Sequence, residues 1–265
     1  MRLPLLPAVL FVAVLFVIGC GDSPSPAEPD PAADEVFELM SSLSLDGINE
    51  AYARLDGFAY TTQIVLEELD ENGETTASTS RIVRRIPTTD GVEETVLDAD
   101  SSSSLSSRAT ASASQARHLP KREGFEGLLR PVNPLSSVLP DEPAYVRMRT
   151  RDRYAYEMRP DTTVNDERLH VAQATLRRES ADEQPVRYAR YYHNDTNTIV
   201  GVDVLRLTTS ALFDETSHVT VWLLPGPDGV LLPGTAVSET TVHTPGNEPK
   251  RLRLTQTIRD ITSVE

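Results

Sequence analysis

The chain has 265 residues, with 40 Asp and Glu against 25 Lys and Arg, a formal net charge of −15 and a single cysteine. That balance excludes a nucleic-acid partner held by phosphate contacts, because counterion release needs clustered cations and the long-range term here is repulsive. One cysteine excludes a disulfide within the chain, so any stable domain rests on its own hydrophobic core, which a chain of this length can build.

Read from the N-terminus, Arg2 precedes an apolar run that ends at Ile18, followed by Gly19 and the lone Cys20. A basic start, an apolar stretch of this length and a small residue before the cut predict a secretory signal over residues 1–19, too short for a spanning helix. Val17-Ile18-Gly19-Cys20 resembles a bacterial lipobox. The resemblance implies that Cys20 becomes the acylated first residue, carrying palmitate-type chains that anchor the protein to a membrane. Gly21, in place of Asp after the cysteine, implies an outer-membrane destination with the domain facing the periplasm.

Residues 20–33 mix Pro, acids and small residues and predict an extended tether. The folded domain is expected over 34–265. Val36, Leu39, Met40 and Leu43, then Ile48, Ala51, Tyr52 and Leu55, recur at helical spacing around Asp46-Gly47, which predicts two helical pieces sharing one buried stripe.

After Gly57 the period changes from 3.6 to 2. About eleven short segments rich in Val, Tyr, Thr and Ile read as strands. They cover 57–69, 74–85, 92–97, 144–149, 154–159, 168–177, 186–193, 199–208, 218–224, 235–243 and 250–261. Asn72-Gly73, Asp90-Gly91, Asn194-Asp195 and Asp228-Gly229 supply tight turns between them. Short connections favour an antiparallel meander. Phe58, Tyr60, Ile64 and Leu66 share one strand face, as do Leu252, Leu254 and Ile258, so each strand has one wet side. Such a sheet either folds into a two-layer sandwich or curls around the N-terminal helices.

Two stretches interrupt the pattern. Residues 98–118 are Ser-rich and predict an exposed insertion. From Phe125 to Leu139 apolar residues alternate with Pro131 and Pro134, which allow only short helical turns; this piece is either a flap or core filling, and core filling is favoured.

Few residues point to chemistry. His118, His170, His193, His218 and His243 show no metal-ligand spacing, and no nucleophile elbow, phosphate loop or dinucleotide fingerprint is present. No metal, no cofactor and no enzymatic activity are expected. Adjacent carboxylates such as Glu93-Glu94 read as solvated surface. Arg147, Arg149, Arg151 and Arg153 alternate as if on one side of a hairpin. They read either as a solvated face or as an edge that meets an anionic headgroup or an acidic patch on a partner.

The order of elements carries a resemblance. Ile48 to Leu55, then Asp56-Gly57-Phe58-Ala59-Tyr60-Thr61-Thr62, a turn at 70–73 and a strand ending Arg84-Arg85-Ile86-Pro87 resemble the start of the LolA/LolB-like lipoprotein-carrier superfamily. The segments 195–200 and 219–233 are similar to later hairpins of that group. The resemblance implies an antiparallel, incompletely closed β-barrel of about eleven strands wrapped around helices. It implies an envelope lipoprotein of the LolB/RseB receptor or sensor kind, binding lipid, acyl chains of another lipoprotein or another apolar ligand on its concave face. Phe58, Tyr60, Ile64, Leu66, Val36, Met40 and Tyr52 would line that site. The rival reading is a structural or interaction lipoprotein whose barrel is filled by its own side chains and which meets an envelope protein partner.

Overall fold

The computed structural model describes residues 30–101, 131–177 and 185–264. Cys20, the signal segment and most of the tether lie outside these residues, as do His118 and the Ser-rich stretch from residue 102 onward. The compact unit begins at Pro31.

Helix α1 spans Pro31–Ser42, three residues earlier than the periodicity places it. Pro31 suits the first helical position because it has no N–H to leave unpaired, and Asp34 in the first turn complements the helix dipole. Ala33, Val36, Phe37 and Met40 form its buried face. The break falls at 43–45. Asp46 and Gly47 open α2 (Asp46–Arg54), with the Asp46 N–H bonded to Ser44 Oγ at 3.0 Å. A 3₁₀ turn, Leu55–Gly57, leads into the sheet.

Ten strands follow: β1 (Phe58–Leu69), β2 (Thr75–Thr88), β3 (Gly91–Ser101), β4 (Tyr154–Val164), β5 (Glu167–Leu176), β6 (Val186–His193), β7 (Ile199–Thr209), β8 (Asp214–Pro225), β9 (Leu231–His243) and β10 (Lys250–Ser263). They make one antiparallel sheet in the order β3-β2-β1-β10-β9-β8-β7-β6-β5-β4. Its first and last members, β3 and β4, do not pair, so the barrel is incompletely closed. A single sheet with helices on one face rules out the two-layer sandwich. The chain forms two meanders, β1–β3 and β4–β10, joined where β1 pairs with β10.

One expected strand is absent. Residues 144–149 form 3₁₀ turns, Ala144–Val146 and Met148–Arg153, that fill the connection into β4. Tyr145 points into the core, and Thr150, buried beside it, donates its hydroxyl to the Ala144 carbonyl. The apparent alternation there came from side chains that a 3₁₀ turn scatters around its axis.

The core lies between the sheet's inner face and the helices. α1 packs on β4 and β5, α2 on β9, and a short helix α3 (Leu135–Val138) on β7 and β8. Val202, Val204, Val219, Val221, Ala172, Ala189 and Tyr191 face Val36, Phe37, Met40, Ile48 and Ala51 in one cluster. Burying each large aliphatic side chain there is worth roughly 1.5–3 kcal/mol. The proline-broken segment is core filling: Leu135, Val138 and Leu139 are buried in the same cluster. It crosses the inner face as a strap. The Val132 N–H donates to Gln256 Oε1 at 3.2 Å on β10, Asn133 Nδ2 donates to Asn49 Oδ1 at 2.7 Å on α2, and Arg206 Nη1 on β7 donates to the carbonyls of Ser137 and Val138 at 3.2 and 3.3 Å.

Candidate functional site

Residues directly opposite in a β-ladder share a face, so the inner surface can be followed across the sheet from the apolar cluster. Val221 on β8 stands opposite Ala236 on β9, Val219 opposite Ser238, and Ser217 opposite Thr240. Thr240 then meets Leu252 on β10, which meets Glu68 on β1. Along these strands the inner face changes character. Its Val202–Val221–Ala236 end is apolar and packed under the helices, while its other end carries Arg206, Glu215, Ser217, Ser238 and Thr240.

At that polar end an open groove of about 740 Å³ lies over β9, β10 and β1. Glu68, Thr240, Val242, Lys250 and Leu252 line its floor, and Thr244, Gly246, Asn247, Glu248 and Pro249 of the β9–β10 turn form one wall. The lining mixes aliphatic side chains with hydroxyls, an amide, two carboxylates and Lys250, the sole lysine among the described residues. Leu66 and Leu254, a directly opposed and half-buried pair, are the next inner-face neighbours toward the core. Behind them lie Ile64 and Gln256, both buried.

The seven expected lining residues divide. Val36 and Met40 are core residues, Met40 with no exposure at all, and Tyr52 packs against the same cluster with its phenol pushed far above the ordinary range by burial. Tyr60 belongs to a second small cluster with Leu55, Leu232 and Ile258, against which Phe58 packs. Its hydroxyl accepts a 3.1 Å bond from Arg85 Nη1. Ile64 and Leu66 share the groove's face but lie deeper than its floor. The groove itself is built from residues that the sequence reading did not single out.

Arg85 is the other residue missed. It is 4% exposed and holds β2 to its surroundings through Tyr60, Asp56 Oδ1 at 3.5 Å and Glu94 Oε1 at 3.6 Å. A buried cation needs such partners, since leaving one unpaired costs several kcal/mol.

The four arginines of residues 147–153 do not form one edge. Arg147 binds the Glu142 carbonyl and carboxylate, while Arg151 pairs with Asp34 and covers the Phe37 ring at 5.5 Å. Arg149 is exposed. The cationic stripe expected of a strand is corrected by the 3₁₀ geometry, which leaves Arg151 as a staple between the connection and α1 and Arg147 as a tie within the connection.

Of the described histidines, His170, His193 and His218 sit on strands β5, β6 and β8 apart from the groove, and His243 ends β9 between the groove residues Val242 and Thr244. His170 lies between Asp161 (3.0 Å) and Asp195 (2.9 Å), whose hydrogen bonds raise its pKa, while burial lowers that of His193 beside it. His218 Nε2 lies 2.6 Å from Asp203 Oδ1 on the outer face, with its pKa raised by that bond. No group of three His, Cys, Asp or Glu gathers as a metal site among the described residues.

No known family model matches the chain, and no curated protein matches it. Solved structures similar to it include a DUF1329 family protein from Desulfovibrio piger, at 9% identity and TM-score 0.26 over 88% of this chain and 93% of that one. A putative outer membrane lipoprotein-sorting protein domain from Vibrio parahaemolyticus is similar at 10% identity and TM-score 0.28, over 87% and 93% of the two chains. The Pseudomonas aeruginosa MucA/MucB complex contributes a third, at 12% identity and TM-score 0.22, over 85% and 98%. Scores of this size fall short of a shared backbone trace, and the half-barrel stands on its own strand order and register.

Proposed function

We propose that this protein is a non-catalytic envelope lipoprotein, anchored at the outer membrane through an acylated Cys20, that binds an amphipathic lipid or another apolar ligand on the inner face of its half-barrel. The observation that carries the reading is the uneven filling of that face. Helices and strap occupy it over β4 to β9, whereas a groove of about 740 Å³ stays open over β9, β10 and β1. That volume falls in the range of small-ligand sites, which are largely pre-formed and mix apolar walls with a few polar groups.

The lining suggests how such a ligand would lie. A tail would run along Leu252 toward Leu254 and Leu66, and a polar head would stay near Lys250, Glu68 and Asn247. The rival reading, a filled barrel acting only through partners, is favoured by the burial of Val36, Met40 and Tyr60 but leaves the groove unexplained.

Native mass spectrometry of the protein purified from its own envelope, before and after solvent extraction, tests the reading. A bound species of defined mass, lost on extraction, is the expected result. A clean unliganded mass across several preparations would overturn it.

A further inference from the structure

Among the described residues the open sheet leaves two edges unpaired, and they are guarded unequally. On β4 the edge is blunted by Pro160, which cannot donate to a ladder, and by a register break between Arg159 and Thr162, while Tyr154 and Tyr156 are buried in the core. β3 shares only a register break, opposite Ile82 and Val83 of β2. It runs eleven residues with no proline and no basic residue, and every residue from Gly91 to Ala99 is exposed. Val92, Val96 and Leu97 are 39, 51 and 58% exposed, unusual for aliphatic side chains on a strand.

Register sorts its side chains. Glu94 and Val96 stand opposite Arg85 and Val83 and so take the inner face, as does Val92; a break between Ile82 and Val83 then sets Leu97 out of register. Glu93 and Asp98 take the outer face, around Thr95. The nearest outer-face cation on β2, Arg84, is bonded away from β3, to Thr61 Oγ1 and the Asp260 carbonyl. The edge therefore presents Val92 and Val96 on the inner face, with Glu94 between them paired to Arg85, and the carboxylates of Glu93 and Asp98 on the outer face.

We propose that β3 is a docking edge for an extended segment of a partner protein in which aliphatic and basic residues alternate. Added as an eleventh strand, such a segment would pair with the backbone of β3, set its aliphatic side chains beside Val92 and Val96, and set its cations beside Glu93 and Asp98. Charge chooses this occupant over a second copy of the chain. Antiparallel pairing of two β3 strands would bring acids against acids, which is destabilising.

The test uses synthetic peptides of about ten residues that alternate Val with Lys, or Val with Glu, together with hydrogen exchange on the purified protein. The lysine peptide is expected to slow exchange over 91–99 and leave 154–164 unchanged, with binding that weakens as salt rises. The E93K/D98K variant, altered only at exposed side chains, should bind it roughly tenfold less tightly and gain affinity for the glutamate peptide. Equal protection by both peptides, no protection, or protection at β4 or over the groove would overturn the proposal. Exchange over 91–99 that slows with protein concentration alone would overturn it in favour of a second copy. Ligand retention in the groove should be the same in E93K/D98K as in the wild type, so the two readings fail separately.

Discussion

The phenol ring of Tyr192 on β6 lies against the indole of Trp222 on β8, with centroids 4.6 Å apart, and the two meet across Gly201 of β7 on the outer face. A Cβ at residue 201 would come within 2.4 Å of the indole. In a strand without such a neighbour, Gly to Ala stabilises by roughly 0.5–1 kcal/mol, so the sign of the effect is diagnostic. We expect G201A to destabilise by about 1–3 kcal/mol, seen as a fall in Tm of roughly 2–4 °C for each kcal/mol. The loss should shrink in a W222L background; equal losses in both backgrounds would show that the indole is not the obstacle.

A second prediction concerns the tyrosines beneath the 3₁₀ connection. Tyr145 and Tyr191 are fully buried with hydroxyls 3.0 Å apart, and Tyr156 donates to the Tyr145 carbonyl at 2.7 Å. Y145F or Y191F alone leaves one buried hydroxyl without this partner and should cost about 1–3 kcal/mol, whereas the double variant should cost clearly less than the sum. Denaturant unfolding of all four proteins measures the coupling. Strict additivity would mean that the hydroxyls do not depend on each other.

The groove and the core make opposite predictions. L252W should fill the groove and abolish retention of a ligand mass while changing stability by less than about 1.5 kcal/mol. M40A should do the reverse, costing about 2–5 kcal/mol while the folded fraction keeps its ligand. Loss of ligand in M40A without loss of stability would return Met40 to the ligand wall.

Acidity provides a fourth test. The Asp203 hydrogen bond raises His218 above its ordinary pKa of 6.5, so the fold prefers the protonated ring. The contribution is therefore complete below the unfolded value and is lost as pH rises through the folded one. His170, raised by Asp161 and Asp195, has the same sign; His193, lowered by burial, has the opposite sign and weakens the fold as pH falls below 6.5. The stability gap between wild type and H218Q should be widest in mild acid and close on raising the pH. NMR titration of the ring should show its pKa fall in D203N. A gap independent of pH would remove the ion pair from the account.

Much of the sheet is legible in the sequence because period-2 alternation survives wherever one face is wet. The opposed rows of β1 and β10, with Leu66 against Leu254 and Glu67 against Arg253, are an example. Proline misleads at β4, which continues through Pro160 to Val164 because an edge strand tolerates a missing donor. The turn beyond it, Asn165-Asp166, has both residues at positive φ, 50° and 65°, a pairing those side chains accept and the reading overlooked. The groove is a harder case. Glu68 and Thr240 are brought together only by the pairing of β10 with both β1 and β9, and no local pattern encodes that meeting. Arg85 is hidden for a related reason: an arginine among strand residues looks solvated until Tyr60, Asp56 and Glu94 are seen around it.

The pairing of β1 with β10 also dictates when the domain can exist. Leu69 stands opposite Arg251, so the first meander has no neighbour for its second edge until the last strand is made. Contacts between such distant stretches of chain form late, because the loop between them must close first. In a polypeptide made N-terminus first, one edge of β1 is held by β2 and the other waits while β4 to β9 assemble behind it. Completion then falls to Lys250–Ser263, whose simultaneous pairing with β1 and β9 joins the two meanders into one sheet.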